Sequence, residues 1–303
     1  MSRWCCLVLV LAACGNRAAT PPPPPSSASH DAAPAPVDDA RASGPIDLHA
    51  LTAAAGLSDD AACLVVRFPD GAIRHSDPAR CAIQLRPAST FKLANTLIGA
   101  DVGLIATPDS VLRYDPQRYP PDTISEPEWR KDQTVRKALE ISAVPLYRKL
   151  AFDIGPVRMQ AHLDGLGYGN RSIAGGIDSF WLTGGLAISA LEQVDFLTRL
   201  LAEQLPVTLH AQQLVRAATP TETAGSATLH WKTGTGDLDD DRWVGWLVGW
   251  IDRPEGTHVY ACWIEEVGDD VAAIRAHRTT VCRGALAALG LFPAPTAVGT
   301  GAR

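Results

Sequence analysis

The sequence Ser89-Thr90-Phe91-Lys92 places a lysine three positions after a serine. Residues three apart lie on one face of a helix, so a helix that begins here would bring the Lys92 amine within reach of the Ser89 hydroxyl. A serine hydroxyl is a weak nucleophile at neutral pH and needs a neighbouring base. The stretch therefore predicts an activated serine at the start of a helix.

Three further short motifs follow the first one along the chain. They are Ser142-Ala143-Val144, Tyr168-Gly169-Asn170 and Lys232-Thr233-Gly234. The chain has 5 lysines against 22 arginines, and two of the five lysines lie in these four motifs. Arginine suffices for a general surface charge, but only lysine can lose its proton and act as a base. This usage indicates a chemical role for Lys92 and Lys232.

Runs of apolar, β-branched and aromatic residues predict two groups of strands. The five predicted strands cover residues 63–68, 72–75, 227–233, 243–251 and 258–265. The stretch between the groups, about 128–205, is predicted to be mostly helical. One helix in it starts at the capping-box sequence Ser189-Ala190-Leu191-Glu192. A second, apolar helix is predicted to close the domain over 271–289. We therefore expect an α+β fold, an antiparallel sheet flanked by helices plus a mostly helical subdomain, with a cleft between the two.

Composition divides the chain into a leader (1–13), a Pro/Ala-rich linker (14–47), one domain (48–295) and a tail (296–303). The apolar run of the leader, residues 4–11, is too short to span a bilayer. The linker lacks the apolar surface that would offset the entropy of ordering it, so we expect a partly extended tether.

The leader ends in Leu11-Ala12-Ala13-Cys14-Gly15, which resembles the lipobox of bacterial lipoproteins. This resemblance implies cleavage before Cys14 and lipidation of that cysteine. Because glycine rather than aspartate follows Cys14, it also implies an anchor on the outer membrane, facing the periplasm. An ordinary signal peptide that happens to end beside a cysteine is the alternative.

The domain keeps four cysteines, which would meet an oxidising compartment if the protein is exported. Cys63 and Cys81 flank the first predicted hairpin, and we favour a disulfide between them. Cys262 and Cys282 could form a second one, and buried free thiols are the alternative. No Cys-x-x-Cys or paired-histidine spacing supports a metal site, and the net charge of −6 argues against nucleic acid as a partner.

Taken together, the motifs resemble those of the class D (oxacillinase-type) serine β-lactamases over residues 63–292. The resemblance rests on Pro87-Ala88-Ser89-Thr90-Phe91-Lys92, Ser142-Ala143-Val144, Tyr168-Gly169-Asn170, Ile177-Asp178-Ser179-Phe180-Trp181-Leu182 and Trp231-Lys232-Thr233-Gly234-Thr235-Gly236. Other serine β-lactamases and penicillin-binding proteins carry Ser-Asp-Asn as the second element. Val144 at the place of that asparagine is characteristic of class D. The resemblance implies the serine β-lactamase and penicillin-binding transpeptidase fold, with β-lactam antibiotics as substrates and antibiotic resistance as the outcome.

The same resemblance implies a mechanism. Ser89 would form an acyl-enzyme with the β-lactam, and water would then hydrolyse it. Lys92 would be carboxylated by carbon dioxide to N6-carboxylysine and act as general base, with bicarbonate as the source of carbon dioxide and no other cofactor. Val144 and Trp181 would support the carboxylated side chain.

For the remaining motif residues the resemblance implies proton transfer and substrate binding. Ser142, assisted by Lys232, would pass a proton to the leaving nitrogen, and the backbone N–H groups of Ser89 and Thr235 would bind the oxyanion. The expected substrate-binding residues are Thr233, Gly234, Thr235, Arg278 and Tyr168. Arg275, one turn before Arg278, is the alternative carboxylate binder.

Two other functions fit these motifs. The sensor domains of penicillin-responsive receptors share the fold and motifs, become acylated and do not turn over. A peptidoglycan transpeptidase of the penicillin-binding class is the other possibility, and Val144 together with the small single domain opposes it.

Overall fold

The computed structural model describes residues 44–121, 126–268 and 270–294. The predicted leader, Cys14, most of the linker and the 296–303 tail lie outside these residues. Packing begins slightly before the predicted boundary at residue 48, because Ile46 is already buried and its N–H donates to the His75 carbonyl at 3.0 Å.

Antiparallel pairing organises the strands of the described ranges. They are β1 (Ala62–Arg67), β2 (Ile73–His75), β3 (Val111–Leu112), β4 (Gln133–Thr134), β5 (Thr221–Ala224), β6 (Ala227–Asp237), β7 (Arg242–Arg253) and β8 (Gly256–Val267). The main sheet has six strands in the order β2-β1-β8-β7-β6-β5, and β3 pairs with β4 apart from it. All five predicted strands are present in this sheet, and the predicted α+β class is confirmed.

Helices cover the sheet and build the predicted helical region. They are α1 (His49–Ala54), α2 (Pro78–Cys81), α3 (Lys92–Asp101), α4 (Val135–Glu140), α5 (Val144–Ile154), α6 (Pro156–Leu166), α7 (Ala190–Leu201), α8 (Leu209–Ala218), α9 (Val271–Arg278) and α10 (Gly284–Ala288). The capping box predicted before α7 is present, with Ser189 and Glu192 each accepting the other's backbone N–H. Within the described residues, every helix is too short or too polar to cross a lipid bilayer.

The apolar strands of the sheet are buried on both faces. Successive side chains of a strand point to opposite faces, so Cys63 and Val65 of β1 join the core shared with α3 and α7. Leu64 and Val66 join the second core, which contains Ile274 of α9 and other residues of the C-terminal helices. Because helices cover both faces, the strands read as continuous apolar runs rather than as an alternating pattern.

The predicted closing helix over 271–289 is not continuous. A π-helical segment, Thr279–Arg283, separates α9 from α10. Such segments insert extra backbone into a helix and often occur near functional sites. The last residue of α9, immediately before this segment, is Arg278.

Two disulfides pair the four cysteines of the domain. Cys63 of β1 is bonded to Cys81 of α2, and Cys262 of β8 is bonded to Cys282 of the π-helical segment. Closing loops of this size is worth about 3 kcal/mol per bond through the lost entropy of the unfolded chain. The second bond, left open by the sequence, ties the segment after Arg278 to the central sheet.

Candidate active site

The Ser-x-x-Lys stretch adopts a tighter turn than the predicted α-helix. Residues Ala88–Phe91 form a 3₁₀ turn, and α3 begins only at Lys92. In a 3₁₀ turn residues i and i+3 are eclipsed, so the predicted contact is preserved. Lys92 Nζ donates to Ser89 Oγ at 2.5 Å. The backbone before Ser89 is fixed as well, since the Ala88 N–H donates to the Trp181 carbonyl at 3.1 Å.

Lys92 is completely buried. In the described part of the chain no carboxylate lies within ion-pair distance of its amine, and its polar contacts are the hydroxyls of Ser89 and Ser142. Burial without a counterion disfavours the ammonium form and lowers the pKa of Lys92 to about 7. A large share of the amine is therefore neutral at physiological pH.

Ser142 lies between the two lysines of the motifs. It occupies the turn between α4 and α5, where its backbone has a positive φ of 59°. Its Oγ accepts from Lys92 Nζ at 3.3 Å and from Lys232 Nζ at 3.0 Å. A hydroxyl can accept from one amine while donating to another group, so Ser142 can pass a proton between Lys232 and a bound molecule.

Lys232 reaches this site from β6 of the sheet. It is fully buried, and its Nζ also donates to the Thr233 carbonyl at 2.9 Å. Burial, followed by the positive charges of Lys92 and Arg278, holds the pKa of Lys232 well below its ordinary value. The site thus gathers several basic groups whose protonated forms an anionic ligand would favour.

The edge of β6 packs against the nucleophile turn. Strand β5 pairs with β6 only as far as His230, which leaves the following residues of that edge to face the turn. A Cβ at Gly234 would come within 2.8 Å of the Pro87 carbonyl oxygen and 3.1 Å of Thr90. Only glycine allows this approach, which explains the glycine two residues after Lys232.

Arg278 extends from the end of α9 to the same strand. Its guanidinium donates to Thr235 Oγ1 at 3.0 Å and is 3.4 Å from the Gly234 carbonyl oxygen. Burial, with a smaller effect of the Arg275 charge, lowers the pKa of Arg278 to about 10, so it remains cationic at neutral pH. Arg275 is exposed and makes no such contact. The geometry therefore favours Arg278 over the alternative.

Trp181 lies behind the nucleophile turn. Its fully buried ring packs 5.3 Å from the Phe91 ring and 5.0 Å from Phe180, measured between centroids. Among the described residues its indole N–H has no hydrogen-bond partner. An unsatisfied buried donor lowers the stability of a fold by about 1–3 kcal/mol, so the unpaired Trp181 N–H destabilises the protein. Val144 is half-buried at the first position of α5.

Comparison with known proteins agrees with this geometry. The family model described as "Penicillin binding protein transpeptidase domain" matches residues 69–277. Beta-lactamase OXA-10 of Pseudomonas aeruginosa is 38% identical over 188 residues, which are 61% of this chain and 69% of the relative. The crystal structure of FUS-1 (OXA-85), a class D β-lactamase from Fusobacterium nucleatum subsp. polymorphum, superimposes with a TM-score of 0.72 at 32% identity and covers 81% of this chain and 98% of that one. The chain belongs to the class D β-lactamases. It is therefore a hydrolase that acts on β-lactams.

Tyr168 does not line the cleft of this β-lactamase, and its predicted place among the substrate-binding residues is wrong. It is 1% exposed and packs edge-to-face on Phe91 at 5.6 Å and on Phe196 at 5.1 Å. The glycines on either side both have a positive φ, and the turn they form directs the ring into the core. Its place in the class D motif is explained by packing behind the nucleophile turn.

One residue that holds the nucleophile turn in place, Gln193, was not predicted from the sequence. Gln193 of α7 donates to Thr90 Oγ1 at 2.9 Å, and Thr90 Oγ1 donates to the Pro87 carbonyl at 2.7 Å. Gln193 is 1% exposed. The signal was available, because a lone glutamine interrupts the apolar positions of α7 and a buried amide requires partners.

Proposed function

We propose that this β-lactamase works through a serine acyl-enzyme on Ser89, with carboxylated Lys92 as general base, and that it confers resistance to β-lactam antibiotics. One observation carries the proposal: an amine without a counterion, completely buried, lies 2.5 Å from the Ser89 hydroxyl. An ammonium group so placed is a poor base, whereas a neutral amine can be modified.

The residues around Lys92 fit a carboxylated side chain. Carbon dioxide reacts with a neutral amine and releases one proton, and the pKa of about 7 supplies the neutral form. The unpaired Trp181 N–H offers a donor to the new carboxylate oxygens, and Val144 adds apolar surface. Once carboxylated, Lys92 supplies an anionic general base beside Ser89 in both acylation and deacylation.

The other motif residues then have separable tasks in acylation. Ser89 Oγ attacks the β-lactam carbonyl carbon, and the backbone N–H groups of Ser89 and Thr235 stabilise the oxyanion. Ser142 gives its hydroxyl proton to the β-lactam nitrogen as the ring opens. Lys232, 3.0 Å from Ser142 Oγ, returns a proton to it.

Substrate binding falls to the strand and to α9. The carboxylate found on most β-lactams would be bound by Arg278 and by the residues Thr233, Gly234 and Thr235. Arg278 is supported in this task because it already contacts Thr235 Oγ1. Once Lys92 carries a carboxylate, its negative charge would favour the protonated form of Lys232, which would then add to the attraction.

A turnover experiment tests the proposal. Purified protein should hydrolyse a chromogenic cephem over many cycles, with a rate that rises on addition of bicarbonate. The sensor-type alternative predicts a single equivalent of acylation without turnover, and that outcome would overturn the hydrolytic mechanism. In Lys92→Ala the acyl-enzyme should accumulate and be visible by mass spectrometry, whereas rapid deacylation in this variant would refute the general base.

We also propose that the protein is exported to the periplasm and anchored to the outer membrane through lipidated Cys14. The leader sequence supports this proposal, and so do the two disulfides, which persist in oxidising compartments. Expressed from the full chain, the protein should incorporate labelled palmitate and fractionate with the outer membrane. Cys14→Ser should abolish both, and unchanged labelling would contradict the anchor.

A further inference from the structure

Asp178 forms the centre of a polar cluster three residues before Trp181. Its carboxylate oxygen Oδ2 accepts from the Tyr119 hydroxyl at 3.1 Å and from Arg148 Nη2 at 3.2 Å. Arg148 Nε also donates to the Asp178 backbone carbonyl at 3.1 Å. Arg148 thus contacts both the side chain and the main chain of Asp178. These two contacts together restrict the position of Asp178.

This cluster joins three segments of the chain. Arg148 is on α5, the helix that begins two residues after Ser142. Tyr119 belongs to the segment that follows β3, and the Arg148 guanidinium lies 4.8 Å from its ring centroid. Asp178 belongs to the loop that carries Trp181. The carboxylate of Asp178 is therefore a common attachment point for all three.

The Trp181 loop has little regular structure to fix it otherwise. Residues 175–185 contain no helix or strand, and Gly175 and Gly176 have positive φ angles. The turn around Asp178 is closed by backbone bonds within the loop, such as Phe180 N–H to Gly176 O at 2.9 Å. From outside the loop, the Ala88 N–H donates to the Trp181 carbonyl, and the Asp178 contacts hold the loop three residues earlier.

Burial and charge favour the hydrogen bonds of Tyr119 and Arg148 to the Asp178 carboxylate throughout the physiological pH range. Tyr119 is 4% exposed, so its hydroxyl has little access to water as a replacement partner. Burial, followed by the negative charge of Asp178, raises the pKa of Tyr119, and its hydroxyl therefore remains a donor across the physiological range. The Asp178 side chain is 22% exposed and faces a cation of which 35% is exposed, so the pair is partly shielded from solvent.

We propose that Asp178, held by Arg148 and Tyr119, is a positioning residue that fixes Trp181 so that its indole N–H can bind the carboxylate group of modified Lys92. This inference rests on the proposed carboxylation of Lys92 and deepens it. Asp178 touches neither substrate nor reacting atoms, and it acts through the loop. Its contribution is to the affinity of the site for carbon dioxide rather than to the chemical steps.

The test measures carboxylation directly in the intact protein. Wild-type enzyme and Asp178→Asn are titrated with ¹³C-labelled bicarbonate, and the carbamate resonance is followed by ¹³C NMR. Since charge-assisted bonds of this kind contribute about tenfold or more to an equilibrium, the bicarbonate concentration for half-occupancy should rise about tenfold in Asp178→Asn. Turnover by the variant should be low at limiting bicarbonate and recover at high bicarbonate.

Asp153→Asn is the matched control. It removes the same type of carboxylate from an ion pair away from the Trp181 loop, since Asp153 pairs with Lys149 on the surface of α5 at 2.6 Å. Its half-occupancy concentration should equal that of the wild type. An equal rise in Asp153→Asn would show a general charge effect and overturn the inference.

The remaining outcomes separate the two proposals. If the wild type gives a carbamate resonance that Lys92→Ala lacks, and folded Asp178→Asn titrates like the wild type, the inference is overturned and the proposed function stands. If the wild type gives no resonance, carboxylation itself fails. Should Asp178→Asn unfold, Tyr119→Phe removes one hydrogen bond to the same carboxylate, and an unchanged titration in that variant overturns the inference.

Discussion

The two walls of the cleft differ in how their polar groups are satisfied. On the sheet wall, the Arg278 guanidinium is bonded to Thr235 and the Lys232 amine to Ser142 and the Thr233 carbonyl. On the helical wall, the Lys92 amine has no counterion and, among the described residues, the Trp181 N–H has no acceptor. The sheet wall is complete as it folds and is suited to holding a ligand. The helical wall has polar groups that one added carboxylate could satisfy.

The sharpest way to break this contrast is to remove the unsatisfied amine. Lys92→Met should lower kcat about 10³-fold, because general base catalysis contributes about 10²–10⁴-fold. The same change should raise the free energy of unfolding at pH 7 by up to about 4 kcal/mol in CO₂-free buffer, because methionine avoids the cost of a buried amine whose pKa is displaced to about 7. Steady-state kinetics and urea unfolding measure the two effects.

The size of the stability effect depends on pH. Between about pH 7 and 10 the unfolded chain keeps the Lys92 proton and the folded chain has lost it, so this group's destabilising effect shrinks as pH rises. The advantage of Lys92→Met over the wild type should therefore be largest at or below pH 7. The exposed Lys131 provides the control, and Lys131→Met should change neither activity nor stability. A less stable Lys92→Met would contradict the account of the helical wall.

Removing a paired group from the sheet wall should have a different signature. Arg278→Ala should raise KM about tenfold to a hundredfold with a smaller change in kcat, since a charged hydrogen bond to the substrate contributes about 1.5–3 kcal/mol. Arg275→Ala is the matched control on the same helix and should behave like the wild type. Equal effects in the two variants would show that long-range charge, rather than contact, is responsible.

A pH series sharpens the comparison further. Carboxylation uses the neutral Lys92 amine and releases one proton. At constant, limiting carbon dioxide its occupancy should therefore fall as pH decreases, by about tenfold per pH unit above pH 7 and by up to about a hundredfold per unit below it. The ¹³C NMR titration used for Asp178 measures this directly. A slope that does not steepen between pH 8 and 6 would place the pKa of Lys92 elsewhere.

The smallest effect is expected for a motif residue that lies in neither wall. Tyr168→Phe keeps the ring packed between Phe91 and Phe196, so kcat/KM should change by less than about twofold, as is usual for substitutions away from the reacting groups. A large rise in KM in steady-state kinetics would restore Tyr168 to the substrate-binding residues.

Spacing in the sequence predicted the contacts that depend on local geometry. The three-residue interval between Ser89 and Lys92 gives the same contact in a 3₁₀ turn as in an α-helix, and the capping box at Ser189 is a local structure. Five of the six strands of the main sheet were likewise recognisable from composition, but β5 was not predicted, and β6 continues to Asp237, beyond the predicted end at residue 233.

Other features depend on tertiary packing and could not be derived from spacing. Arg275 and Arg278 are one turn apart, and only the position of α9 against β6 decides which guanidinium reaches Thr235. The direction of the Tyr168 ring depends on the glycine turn that carries it. The Asp178 contacts join residues 30 and 59 positions apart in the sequence, and neither interval has a local signature.

The close approach of Gly234 to Pro87 limits how this enzyme can evolve. A single added methyl group would already meet the Pro87 carbonyl oxygen, so the distance between the nucleophile turn and β6 cannot be adjusted by gradual substitution. Substitutions that change which β-lactams the enzyme accepts therefore cannot place a side chain at residue 234. We expect inherited changes in antibiotic range to accumulate on the opposite side, in the loops that carry Tyr119 and Trp181.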